Sequence, residues 1–317
     1  MFFRERIAVS TPTCLEPRPM IVRPNRNGFL TLFALRGSIL PAIAPRLIVT
    51  TGVACLAVVF SRHHPSLFSG VGLTPFTLIG LTLSIFMSFR NSACFARWWE
   101  SRQLWGAIVT EMRSMARQLG SLSLEERRPM LLGLLGFAHG LAARLRGHDE
   151  AHAIAAASGG EGYAGAPNPT DAVLRTVGLQ AARLNAQGRI GDIALSLLET
   201  RLGHLSAAQA GCERIATTPL PFSYSLLMHR TATIFCLLLP FALAGTLGWW
   251  SPAIVFIMSY TLFGLDRLGD ELENPFGTDM NDLPLDALVR VIERDLLHAA
   301  ELHPLPPPLE PKNFVLS

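Results

Sequence analysis

Apolar positions gather in four long runs along this chain, separated by a polar middle. The first runs from about Ile39 to Phe60 and carries one charge, Arg46, near its start. With so little uncharged length beyond it, Arg46 must snorkel to an interface or meet protein. The second runs from about Phe68 to Phe89, with Pro75 placed where proline suits a first helical turn. The third, about Thr231 to Trp250, follows the polar pair His229 and Arg230 and is the clearest spanning candidate. The fourth, Ser251 to Leu265, is short against the ~20 residues a crossing helix needs. It spans only with local thinning or burial among other helices.

Between the second and third runs the pattern is helical. Ser101 to Leu119 continues out of the second run. Leu124 to Arg146 repeats apolar residues at helical spacing, with Ser123 and Glu126 as a capping box and Pro129 expected to distort its early turns. His148 to Thr170 is rich in Ala and Gly and reads as a loop. Asp171 to Leu205 reads as helix again. After the fourth run, Asn281-Asp282-Leu283-Pro284 opens a helix whose apolar face is Leu285, Leu288, Val289, Ile292 and Leu296. Pro304 to Pro311 reads as extended. No internal repeat and no convincing strand is seen. The expected fold is all-α, an integral membrane protein. Its parts are an N-terminal segment (1–38), a hairpin of spans (39–100), a helical region (101–220), a second hairpin (221–266) and a C-terminal helix and tail (267–317).

Composition agrees with a bilayer. Half of the 317 residues are apolar, 16% are charged and mean hydropathy is +0.34, whereas soluble chains are nearer a quarter charged. The net charge of +3 does not call for nucleic acid. Arginines dominate the N-terminus and the 90–219 segment, while the loops at Ser61–Pro65 and Gly248–Pro252 are short. Under the positive-inside rule both termini and the long middle segment lie in the cytoplasm, and the early prolines and arginines do not form a signal peptide. The setting is therefore the inner membrane of a bacterium. The five cysteines (Cys14, Cys55, Cys94, Cys212, Cys236) form no metal or disulfide pattern and read as buried free thiols.

In the second run, Leu81, Ile85 and Phe89 share one helical face, beside a small stripe of Gly80, Ser84, Ser88 and Ser92. Small residues let helices approach closely in lipid, and a bulky apolar ring around an axis can gate by dewetting. Spanning helices are apolar all round, so this pattern alone does not single out a pore. Arg97-Trp98-Trp99 at the end of the run reads by itself as an interfacial anchor.

Longer strings carry more. Phe89-Arg90-Asn91-Ser92-Ala93-Cys94 with Arg97-Trp98-Trp99-Glu100-Ser101-Arg102 resembles the second-span exit of bacterial bestrophin homologues. Gly211-Cys212-Glu213-Arg214-Ile215, Pro219-Leu220-Pro221-Phe222-Ser223-Tyr224 and His229-Arg230 are similar to the approach to that family's third span. Asp270 to Gly277 and Asn281 to Asp286 resemble the region after its fourth, and Ile21-Val22-Arg23-Pro24 and Leu35-Arg36-Gly37-Ser38 its N-terminal segment. The resemblance runs from about Met20 to His303. It implies a homopentamer around one pore, with four spans per subunit and a helical cytoplasmic portion. It places an apolar neck at Leu81, Ile85 and Phe89 and a lower constriction at Ile193. Eukaryotic members bind calcium with acidic residues after the fourth span. Here Leu272, Asn274 and Pro275 interrupt Asp270, Glu271 and Glu273, so no calcium gating, metal or cofactor is expected.

The expected partners are other copies of the chain, membrane lipid and small monovalent ions. The family includes chloride channels and cation-conducting bacterial relatives. Asp192, next to Ile193, would add a ring of negative charge that favours cations, unless it faces Arg189. Two other classes compete. One is a membrane-embedded enzyme using His229, Asp266, Asp270 and Glu271, though no catalytic motif accompanies them. The other is a non-conducting scaffold or sensor acting through the cytoplasmic helices and tail. A carrier lacks an inverted repeat.

Overall fold

The computed structural model describes residues 20–21, 37–68, 72–160, 163–311 and 315–316. The arginines of the first 26 residues, Cys14, Leu35, Arg36 and Lys312 lie outside the described residues. The chain runs β1 (Met20–Ile21), α1 (Leu40–His63), α2 (Pro65–Phe68), α3 (Thr74–Leu119), α4 (Leu124–Leu145), α5 (Glu150–Ser158), α6 (Pro169–Ala186), α7 (Asp192–Thr217), α8 (Phe222–Leu247), a 3-10 turn (Gly248–Trp250), α9 (Ser251–Glu273), α10 (Leu285–Ala299) and β2 (Val315–Leu316). The fold is all-α apart from β1 and β2, two residues each, which pair antiparallel, Met20 with Leu316 and Ile21 with Val315. Sequence pattern could not announce so short a pairing.

Three helical stretches among the described residues are long and apolar enough to cross a membrane: Leu40–His63, Thr74–Leu119 and Phe222–Glu273. The third is a hairpin, because His229 of α8 bonds Asp266 of α9 on either side of the Gly248–Trp250 turn. Four apolar helical segments therefore pack together around Ile43, Leu83, Met87, Phe235, Leu239, Val255 and Phe263. At one end of this body Arg62 stacks 5.6 Å above the Trp249 ring. At the other end lie Arg46, Arg90, His229 and Asp266. Arg46 to Arg62 spans about 24 Å at 1.5 Å per residue, close to the ~30 Å hydrocarbon core of a bilayer. Large apolar side chains such as Ile48, Leu56, Leu78 and Ile257 stay exposed on this layer, as a lipid-facing surface requires.

Two spans differ from expectation. The third starts at Phe222, so His229 and Arg230 lie within the helix, and the fourth continues to Glu273. Both extensions carry polar groups that find protein partners. Arg46, too, meets protein: it lies 3.7 Å from Asp266 and over the Phe263 ring.

α3 has 46 residues, about 69 Å of helix, so it leaves the apolar layer and becomes the spine of a second body. That body has its own core, which includes Trp105, Met112, Phe137, Val177, Leu205, Phe276 and Ile292. Ser123 and Glu126 form the expected capping box, and α4 runs unbroken through Pro129. The Ala-rich stretch after His148 is helix α5, capped by Asp149 and stopped at Gly159 in the left-handed region (φ +68). The single helix expected from Asp171 to Leu205 is two, broken after Ala186 where Gly188 takes φ +69, a turn that glycine makes without steric cost. On α10, Leu285, Val289, Ile292 and Leu296 are buried as their spacing requires. Cys94, Cys212 and Cys236 are buried free thiols, while Cys55 is half-buried. Burial pushes the Cys212 thiol up to about 12, leaving it unreactive.

The loop from α9 to α10 holds a buried carboxyl. Asp282 is 4% exposed, and its Oδ2 accepts the Asp279 N–H at 2.6 Å. Gly277 makes room for it: a Cβ there would meet Asp282 Oδ2. Burial pushes the Asp282 pKa up to about 7; the hydrogen bond from the Asp279 N–H opposes this, the charges of Asp279 and Glu271 add to it, and Arg146 opposes it. The ordinary aspartate value is about 4. Between pH ~4 and ~7 the folded chain therefore binds a proton that the unfolded chain has lost, and stability falls as pH rises through that window. Asp282→Asn should flatten this part of a melting-temperature profile and raise the melting temperature above pH 7. An unchanged slope would exclude Asp282 as its source.

Candidate functional site

The spanning part of α3 buries Leu83, Met87, Arg90 and Cys94, one stripe at helical spacing. Leu81, Ile85 and Phe89 lie on the opposite side and are 60%, 47% and 64% exposed. One flank between them carries the small stripe. Gly80 touches α8, where a Cβ would sit 3.1 Å from the Phe235 ring. Ser84, Ser88 and Ser92 line an open groove of about 490 Å³ with Leu262, Leu265 and Leu272 of α9. Their size leaves a channel along the helix rather than a contact within the subunit.

Directly after Phe89, Arg90 turns into the protein and is 1% exposed. Its Nη1 donates to the Asp266 carbonyl and to Asp266 Oδ1, each at 3.1 Å. Its Nη2 donates to Asp270 and lies 3.8 Å from Glu273. The guanidinium fits because Gly269 has no side chain; a Cβ there would lie 2.8 Å from Arg90 Nη1. Asp266 also faces His229 Nδ1 at 2.8 Å and Arg46 at 3.7 Å. Residues from all four apolar helices thus converge on one carboxylate. The charges lie within a turn of the end of the Leu81–Phe89 row, so they fix where that row sits.

This geometry gives Arg90 a role and corrects one reading. Arg90 is a buried ion-pair partner, and Arg97-Trp98 is more than an interfacial anchor. Arg97 donates to the carbonyls of Glu273 (3.2 Å), Thr218 (2.6 Å) and Ile215 (2.7 Å), so it caps the C-terminal ends of α7 and α9. Trp98 Nε1 donates to the Asn281 carbonyl at 3.0 Å. Trp99 faces outward at 50% exposure and stacks on Phe95.

The acidic cluster after α9 is split among different partners. Asp270 bonds Arg90. Glu271 bonds Arg267 at 3.1 Å and Asn281 at 2.6 Å, and Glu273 accepts the Leu220 N–H at 3.0 Å. Among the described residues no group of three His, Cys, Asp or Glu is placed to hold a metal ion. Of the four enzyme candidates, His229, Asp266 and Asp270 join the ion-pair cluster and Glu271 turns away to Arg267.

Ile193 and Asp192 open α7 at a surface corner of the second body, and Ile193 is 80% exposed. Asp192 does not pair with Arg189, which binds Glu126 at 2.9 Å. Its carboxylate, in the first turn of α7, accepts the Asn185 amide at 2.9 Å, and among the described residues no arginine side chain pairs with it.

Comparison with known proteins agrees with this architecture. A family model described as Bacterial/Fungal Bestrophin protein matches residues 20–298. A Mesorhizobium japonicum protein named voltage-dependent anion channel-forming protein is 45% identical over 306 residues, covering 94% of this chain and 97% of that one. An Escherichia coli K12 protein of the same name type is 37% identical over 300 residues, covering 92% and 98%. The crystal structure of a bacterial bestrophin homolog from Klebsiella pneumoniae superimposes with a TM-score of 0.78 at 35% identity, covering 83% of this chain and all of that one. By sequence and by fold, the chain belongs to the bacterial and fungal bestrophin family.

Proposed function

We propose that this chain is one subunit of a homopentameric ion channel in a bacterial inner membrane. Its spans form two hairpins, 39–100 and 221–266, and both termini and the 101–220 and 267–317 regions lie in the cytoplasm. The observation that carries this reading is the row Leu81, Ile85 and Phe89, exposed on the side of α3 opposite the one it buries. An apolar row has no reason to be excluded from its own core unless lipid or other copies meet it. Five copies around an axis turn the three residues into three stacked apolar rings, a neck that resists wetting. The names of the relatives support ion conduction, and the arginine distribution supports the orientation.

Below the neck, Ile193 forms a second constriction and Asp192 surrounds it with negative charge. No cation neutralises Asp192 among the contacts described above, so the pore prefers small monovalent cations. The relatives' names favour the opposite sign, anions. Comparing Asp192→Asn with the unsubstituted channel in a sodium chloride gradient separates the two. The substitution should move the reversal potential away from the sodium equilibrium value. An unchanged reversal potential would remove Asp192 from the selectivity filter.

A further inference from the structure

One face of α8 stays exposed from Leu227 to Leu238, and it is apolar except at one place. Leu227, Ile234 and Leu238 are each about half exposed, and Arg230 stands in the same stripe, itself exposed. Met228, Ala232 and Phe235 hold the opposite, buried face. Arg230 makes no ion pair or hydrogen bond among the described residues. The helix α1, which packs against α8, repeats the pattern. Arg46 is followed by Ile48 and Val49, both well exposed. The Arg46 side chain is 47% exposed, and its contact with Asp266 is long at 3.7 Å. Its N–H groups donate no hydrogen bond among the described residues. Both apolar rows run from their arginine toward the end marked by Arg62 and Trp249, that is, into the middle of the apolar layer.

Asp266 holds the two arginines at one depth. Its Oδ2 takes Arg46 and also His229 Nδ1, at 2.8 Å, and His229 is the residue before Arg230. The carboxylates beside this spot are already paired. Asp266 is buried and shared with Arg90, and Asp270, one turn on, bonds Arg90 too. The surface here therefore offers exposed guanidinium groups with apolar side chains next to them. A planar guanidinium matches the oxygens of a phosphate. Basic pockets between spanning helices at the cytoplasmic end suit anionic lipid headgroups.

We propose that Arg46 and Arg230 form a headgroup site for an anionic phospholipid of the cytoplasmic leaflet, whose acyl chains lie along Ile48, Val49, Ile234 and Leu238. The lipid would bridge α1 and α8 on the outside of the Arg90–Asp266 cluster. The proposal rests on reading the four apolar segments as spans, and not on ion conduction.

The test is native mass spectrometry of the full-length protein, purified in detergent and mixed with equal amounts of phosphatidylglycerol and phosphatidylcholine. Phosphatidylglycerol should be retained over phosphatidylcholine by about fivefold or more, as one arginine near a headgroup provides. Arg230→Gln should lose most of this preference. Its melting temperature without added lipid should hold, because an exposed side chain with no partner contributes little to stability. Arg46→Gln should also weaken the preference. Equal retention of the two lipids, or an unchanged preference in both variants, would overturn the proposal. So would displacement of the lipid by inorganic phosphate at equal concentration, which would make the acyl chains irrelevant. Loss of oligomer in Arg230→Gln without lipid would also overturn it, by showing that another copy of the chain covers this face. A parent chain that stays soluble without detergent would overturn the spanning reading itself, and the proposal with it.

Discussion

Replacing Leu81, Ile85 and Phe89 together by alanine should raise single-channel conductance or open probability severalfold. The three side chains are about half or more exposed in the subunit, so their loss costs the subunit core little, as for most surface substitutions. Their effect belongs to the assembly. In the proposed pentamer each residue is repeated in every copy around the axis, so the triple change would replace three bulky rings by three rings of methyl groups. A wider constriction wets more readily and offers ions a lower barrier. Recordings in planar bilayers provide the check, beside size-exclusion profiles to show that assembly is kept. Unchanged currents from normally assembled protein would place the constriction elsewhere on α3.

A comparably large effect, this time on folding, is expected from Arg90→Met. The arginine is as buried as any core residue and shares Asp266 with His229 and Arg46. Removing one partner of a buried ion pair leaves a charge with too little compensation and costs about 3–5 kcal/mol. Most of the Arg90→Met protein should therefore fail to reach a stable, assembled state, seen as a large fall in melting temperature and in the yield of oligomer. Adding Asp266→Asn should restore part of the loss, because the double variant no longer buries the unpaired charge. If Arg90→Met melts like the parent chain, the cluster is not what fixes the four helices at this end. The prediction reaches function as well. Arg90 follows Phe89 directly, so the surviving channels of an Arg90 variant should show altered gating.

Much of this arrangement was legible in the sequence, for physical reasons. The row Leu81, Ile85, Phe89 could be read because one helix determines its own spacing, whatever surrounds it. The capping box at Ser123 and Glu126 and the buried face of α10 are likewise local. The partnership of Arg90 with Asp266 was not legible, since it joins residues on different helices far apart along the chain. A hint was present: Asp266 and Asp270 stand one turn apart at the end of an apolar run, and charges in such places need partners. Arg97 was misread for the same reason, as its three acceptor carbonyls come from α7, α9 and the turn after α7. The helix α5 was hidden by its flanking glycines, although its alanines are the strongest helix formers. The break between α6 and α7 depends on the backbone freedom of Gly188 within an otherwise helical pattern.

The central claim is that this protein conducts ions along an axis lined by α3. The most direct measurement is the current–voltage relation of the purified full-length protein in a planar bilayer under a sodium chloride gradient. The account predicts discrete channel currents that reverse near the sodium equilibrium potential. Stable, fully assembled protein that passes no current would contradict it.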